Sequence, residues 1–223
     1  MSSADSVDII VHGVGTHGAY PHRGIDPVLV ASQIVVSLQS LVSRTIDPLE
    51  AGVVTVGAIH GGTKHNIIGD RVELSLTVRA DNYETRDTLL KGIERIALGV
   101  ARTQGVPEDK LPEVIVSKTE TTPPTLNDEA TAARIQSVFQ ETFGADRVPP
   151  NRREGMGGED FAYYGAPEHG VKAVFFFVGG TPQAQLAGAA AHHSPLFKIA
   201  PEPSVTTGIE AMVVGAMTLL AKR

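Results

Sequence analysis

The sequence predicts an α/β chain whose first half is a ferredoxin-like βαββαβ sandwich, and three observations predict it. Segments of strand, helix, strand, strand, helix and strand character follow one another between residues 5 and 118, the order of a split βαβ unit. Within "RVELSLTVRA", Val72, Leu74, Leu76 and Val78 alternate with Glu73, Ser75, Thr77 and Arg79, which turns one sheet face to a core and the other to solvent or a ligand. Past "TTPPTLND", a proline-broken stretch suited to a domain boundary, "AVFFF" is apolar on both faces, as a strand inside an α/β sheet would be.

Each element has its own signal. "SVDIIVH" (6–12) is β-branched and stops at glycine, a strand. Four glycines and a proline then make residues 13–26 a loop. Asp26 followed by Pro27 supplies an N-cap and a proline at the first helical position, and Val30, Ile34, Leu38 and Leu41 recur at helical spacing. Two strands, 51–62 and 66–81, precede a helix over 83–104 that Gly105 and Pro107 close. "EVIVSKTE" is the sixth segment. Beyond it lie a helix at 128–143, a short segment near 147, the loop "REGMGGEDFAYYG", a strand at 171–180, an Ala/Gly loop ending "HHSPLF", and a helix at 203–221. A strand buried on both faces needs neighbours at both edges, and this second half supplies too few of them.

Composition narrows the function. The chain has 223 residues, 42% of them hydrophobic, and a formal charge of −6, which leaves no basic footprint for nucleic acid. Cysteine is absent, which removes thiolate metal sites and favours a reducing, cytoplasmic setting. No apolar run approaches the roughly 20 residues of a membrane span, and "MSSADSVDII" has no secretion-signal pattern.

Gly13, Gly15 and Gly18 spell G-x-G-x-x-G, the fingerprint of a dinucleotide loop. That fingerprint must open directly onto a helix and be followed about 20 residues later by an acidic residue. Here Pro21 and Gly24 bar a helix before residue 26, and no acidic residue stands at the required distance. The glycines are expected instead to permit a tight turn that holds His17 out of the sheet edge.

"THGAYPHRGIDPVLVASQIVVSLQSLVSR", "GGTKHNIIGDRVELSLTVRA", "MGGEDFAYYG" and "HHSPLF", in that order, resemble the metal-dependent amidohydrolases. That group includes hippurate hydrolase, N-acyl-amino-acid and indole-acetyl-amino-acid hydrolases and, more distantly, aminoacylases and glutamate carboxypeptidases. The resemblance implies a ferredoxin-like lid and dimerisation domain at residues 5–118. It implies the C-terminal part of a zinc-peptidase-like α/β domain at 119–223. Such enzymes cleave the amide of N-acyl amino acids or small peptides with a metal-activated water.

By the same resemblance, His193 matches a metal ligand, and His17 matches the lid histidine that reaches into the partner subunit's site and supports the oxyanion. Asn66 and Arg79 match a lid pair that grips a substrate carboxylate, for which an arginine fork is suited. Glu159 and Asp160 fall where the family lines its pocket. On residue type alone these readings stay open: a His-His pair before Ser-Pro also suits an exposed loop, and Glu159 or Asp160 also suits the cap of a short helix. The family's N-terminal part, with most of its metal ligands and its general-base glutamate, has no counterpart in this sequence. One imidazole cannot hold zinc or manganese, which need three or four ligands. The expectation is therefore a homodimeric amidohydrolase polypeptide that does not by itself retain the metal. The alternatives are a non-catalytic dimerisation or carboxylate-binding module, and one half of a split enzyme that recruits the N-terminal segment.

Overall fold

The computed structural model describes residues 1–150 and 155–221. They form two compact units: Met1–Leu126 with Arg153–His169, and Asn127–Arg152 with Gly170–Arg223.

The first unit is built on four long strands: β1 (Ala4–His12), β3 (Gly52–Gly61), β5 (Arg71–Ala80) and β6 (Glu113–Thr122). Their order across the sheet is β3-β5-β1-β6, and every neighbouring pair is antiparallel. This is the ferredoxin-like arrangement, with two strands added: β2 (Thr16–His17) and β4 (Ile67–Ile68) make a small ribbon of their own. A two-residue strand is too short to show a period, so only pairing reveals it.

Helices α1 (Pro27–Ser40) and α2 (Tyr83–Thr103) cover one face of the sheet. Val7, Ile9 and Val11 of β1 and Val72, Leu74, Leu76 and Val78 of β5 pack against Val30, Ile34, Leu38, Leu89 and Ile93. The expected alternation therefore marks the core face, and Glu73, Ser75 and Arg79 take the other. Asp26 caps α1, accepting from Val28 N at 2.9 Å and Leu29 N at 3.4 Å. The helix ends in a π turn over 41–45, where Leu41 is fully buried opposite Gly92. A side chain at Gly92 would stand 2.4 Å from Leu41 Cδ2, so glycine sets how closely α1 and α2 approach.

One charged group lies in this core. The Asp5 carboxylate is wholly buried and receives Arg86 Nε at 2.8 Å, Arg86 Nη2 at 2.7 Å and Thr121 Oγ1 at 2.6 Å. The arrangement ties β1, α2 and β6 together, and the hydrogen bond to Asp5 raises the Arg86 pKa above its ordinary value.

The second unit holds α3 (Glu129–Phe143) and α4 (Pro201–Leu220). Ile135, Phe139 and Ala211 form its small core with Val174, Phe176 and Val214 beside them. The strand expected at 171–180 does not form: no β-ladder includes this segment among the described residues. The reason is a lack of neighbours. In their place the Asn127 side-chain amide clamps Phe175, accepting from its N at 2.8 Å and donating to its carbonyl at 2.9 Å. The other apolar face of the segment stays uncovered, with Phe177 69% exposed. Arg153 and Glu154, which begin the expected loop "REGMGGEDFAYYG", lie outside the described residues.

Length also corrects the expectation about apolar runs. Residues 27–45 and 201–220 are helices long and apolar enough, by length and composition, to cross a membrane. A helix of that length tolerates small polar residues such as Ser32 and Ser37 that interrupt an apolar run. The first of the two is the core helix just described.

Asp128 caps α3, accepting from Thr131 N at 2.9 Å and from Thr131 Oγ1 at 2.5 Å, and these bonds hold its carboxyl below the usual aspartate range. A pKa depressed in the folded state stabilises above the unfolded value and is lost as pH falls through the folded one. The acid limb of the melting temperature against pH, below about pH 4, is therefore expected to flatten in Asp128→Asn. An unchanged limb would show that the carboxylate charge contributes nothing there.

Candidate functional site

His17 owes its position to close backbone approaches. A Cβ on Gly13 would meet Pro27 Cδ at 2.5 Å and the Ile25 carbonyl at 2.7 Å, and one on Gly24 would meet the Val14 carbonyl at 2.4 Å. Only glycine lets Val14 and Ile25 form their β-bridge, which closes the loop beneath β2. The G-x-G-x-x-G spacing thus serves chain packing, and its glycines open onto a ribbon and not onto a helix.

On that ribbon His17 pairs with Ile67, and Gly18 N donates to the Asn66 carbonyl at 2.8 Å. His17 and Asn66 are therefore neighbours, both exposed. Ala19 N donates to His17 Nδ1 at 3.1 Å. The Tyr20 ring stands 6.0 Å from the His17 ring, with His22 6.4 Å and the Arg23 guanidinium 5.1 Å from Tyr20. The outcome is an exposed imidazole on a short, well-braced support.

Arg79 lies elsewhere. Asp70, whose carbonyl accepts from Gly13 N at 2.8 Å, marks the ribbon end of β5, and Arg79 is near the other end of that strand. The eight steps from Arg71 to Arg79 span about 25 Å at the rise of a β-strand. Asn66 and Arg79 cannot grip one small carboxylate within a single chain, and neither can His17 and Arg79.

Arg79 is instead close to the loop that carries Glu159 and Asp160. Its Nη1 donates to the Met156 carbonyl at 2.9 Å, leaving further guanidinium donors for a ligand. Ser2 N donates to the Gly157 carbonyl at 3.0 Å, and the Thr125 hydroxyl donates to the Glu159 carbonyl at 3.4 Å, so the loop is tied to the end of the sheet. Glu159 caps the short helix Asp160–Tyr163, its carboxylate accepting from Phe161 N at 3.4 Å. Asp160 is exposed at the first position of that helix.

His193 belongs to the second unit. It is exposed and has φ of 65°, the single non-glycine residue with positive φ among those described. Such a backbone costs about 1–3 kcal/mol and is most often kept where a side chain must be aimed. His192 next to it packs edge-on against Phe197 at 5.0 Å. Among the described residues no three His, Asp or Glu side chains converge in a way that could hold a metal ion. The described residues alone do not supply the three or four ligands that such a metal needs.

The Met156 carbonyl and the Ala19 amide, which hold Arg79 and His17, went unseen in the sequence, because a backbone group carries no residue-type signal.

Comparison with known proteins places this geometry. The profile of the M20 peptidase dimerisation domain matches residues 2–102. A Bacillus subtilis protein named as an amidohydrolase, YhaA, is 35% identical over 218 residues, which are 98% of this chain and 52% of that protein. The hippurate hydrolase of Campylobacter jejuni is 35% identical over 164 residues, 74% of this chain and 41% of that enzyme. In structure, the Bacillus subtilis YXEP protein, described as a dinuclear metal binding peptidase from the M20 family, matches 99% of this chain and 51% of its own, with a TM-score of 0.71 and 24% identity. The chain spans about half the length of the curated relatives it matches. Residues 2–102 carry the peptidase dimerisation domain of the M20 family, and the chain is similar over nearly its whole length to a protein named as an amidohydrolase.

Proposed function

We propose that this chain supplies the lid (residues 5–118) and the C-terminal part (119–223) of an amidohydrolase acting on N-acyl amino acids or small peptides. In this reading His17 and Asn66 serve the active site of a partner copy, and Arg79 holds the substrate carboxylate. Glu159 and Asp160 border the pocket, and His193 offers one ligand to a divalent metal, zinc or manganese. The observation that carries it is the placement of His17 and Asn66 on an exposed ribbon about 25 Å along the sheet from Arg79, in a chain related to hippurate hydrolase. A site using both ends of one sheet takes them from two copies. The exposed edge strand β3, with the apolar groove between Val35 of α1 and Val56 and Ile59 of β3, supports a homodimer.

A divalent metal, were it bound with His193 as one ligand, would supply Lewis-acid polarisation of the scissile amide and a more acidic bound water. This chain's own residues bind and orient. An Arg79 fork suits a carboxylate, and an imidazole N–H suits the developing oxyanion. Because the described residues give no metal cluster, the chain is expected to leave hippurate intact with added Zn²⁺ or Mn²⁺. It is expected to hydrolyse hippurate once co-expressed with the amino-terminal half of the YhaA relative. Hydrolysis by the chain alone would overturn the ligand inventory; none in the reconstituted mixture would overturn the hydrolase reading. The second outcome, with a stable dimer, would favour a non-catalytic dimerisation module.

A further inference from the structure

Residues 17–19 fix more than the position of the His17 ring. A backbone N–H can only donate, so a ring nitrogen that receives one must bear a lone pair. Ala19 N–H points at His17 Nδ1 from 3.1 Å. The proton of the neutral ring then sits on Nε2. Nε2 has no hydrogen-bond partner among the described residues, and the side chain is exposed, so this N–H faces outward.

The peptide that makes the contact is itself held. Gly18 N donates to the Asn66 carbonyl at 2.8 Å, and Tyr20 N donates to the His17 carbonyl at 2.8 Å. Both bonds flank Ala19, so its N–H is directed by the ribbon on one side and by a tight turn on the other. Gly18 also lies so close to the Asn66 backbone that a Cβ would stand 3.2 Å from its carbonyl carbon. Tyr20 stands beside the ring, tilted by 57°, and Arg23 covers Tyr20 in turn.

We infer that the Ala19 amide is a tautomer lock, which presents His17 as a neutral imidazole with Nε2–H outward, a hydrogen-bond donor to a substrate carbonyl or oxyanion oxygen. The inference rests on the hydrolase reading for the identity of that oxygen, and adds which nitrogen acts and what holds it. A ring held this way has no lone pair on its outward nitrogen, so His17 donates a hydrogen bond and does not take the proton of the attacking water. Ala19 is the positioning residue, through its backbone alone, and this explains why a side chain as small as alanine suffices there.

The test is nuclear magnetic resonance on the full-length ¹⁵N-labelled chain, at a pH above the histidine range. His17→Gln identifies the His17 signals among the eight histidines. Long-range ¹H–¹⁵N correlation is expected to show one tautomer, with Nδ1 unprotonated and Nε2 protonated. A scalar coupling through the hydrogen bond is expected between the Ala19 amide nitrogen and Nδ1. His22, which makes no such contact with a backbone amide among the described residues, should show a mixture of the two tautomers. A mixture at His17, or a proton on Nδ1, overturns the lock; one Nε2–H tautomer without the coupling overturns the part assigned to Ala19. Neither readout needs hydrolysis, so a failed lock in an active enzyme, and an intact lock in an inactive one, point to different errors.

Discussion

Arg86→Met is expected to remove about 3–5 kcal/mol of stability, because it leaves the Asp5 carboxylate buried without its counter-charge. Asp5 is wholly buried beneath α2, and its remaining partner would be the neutral Thr121 hydroxyl, whose single bond cannot replace two from a guanidinium. Against a total of about 5–15 kcal/mol for a typical fold, that is a large fraction. The measurement is the urea midpoint at neutral pH, with the slope of the transition unchanged. Asp5→Leu combined with Arg86→Met is expected to recover most of the loss, since an apolar pair of similar volume avoids the desolvation that the ion pair must offset. A loss below about 1 kcal/mol in the single variant, the range of surface ion pairs, would mean that water reaches Asp5 and that the group is no part of the core.

The second large effect concerns the proposed active site. In the reconstituted hydrolase, His17→Ala is expected to lower kcat by about 10²–10³-fold, the usual result of removing one oxyanion donor. Arg79→Ala is expected to raise KM by roughly 10–100-fold, as follows from losing a charge-assisted hydrogen bond of about 1.5–3 kcal/mol. Their combination is the informative experiment. If one site draws His17 from one copy and Arg79 from the other, a chain lacking His17 and a chain lacking Arg79 can repair each other. A mixed dimer then has one complete site and one doubly defective site. Random mixing makes half the dimers mixed, so about a quarter of wild-type activity should return under a two-fold symmetric arrangement. No recovery on subunit exchange would mean that both residues serve within one chain, which the distance of about 25 Å along β5 argues against.

Much of the first unit was legible because its signals are local. Asp26-Pro27 announced α1 and caps it as expected. The alternation in 72–79 marked the core face of β5, and the order of elements gave the βαββαβ topology with its four strands. The second unit was legible only in its helices. "VKAVFFFVGG" has the composition of a strand, but a strand exists through its neighbours, and among the described residues an asparagine side chain takes their place at Phe175. Asp5 reads in sequence as one more polar residue near the start of the chain. Its burial depends on Arg86 and Thr121, which lie 81 and 116 residues away.

The candidate site divides in the same way. Residue type and motif singled out His17, Asn66, Arg79, Glu159, Asp160 and His193, because chemistry-bearing side chains are visible in a sequence. Which of them meet is not a property of residue type. Pairing of β2 with β4 brings His17 to Asn66; the length of β5 keeps Arg79 away from both; and the Met156 carbonyl draws Arg79 to the loop of Glu159. The sequence by itself determined the elements, the faces they bury and the family to which they point, since periodicity and capping act within a few residues. Tertiary structure alone decided the ribbon, the buried ion pair and the two ends of the site, since each depends on contacts between segments that are distant along the chain.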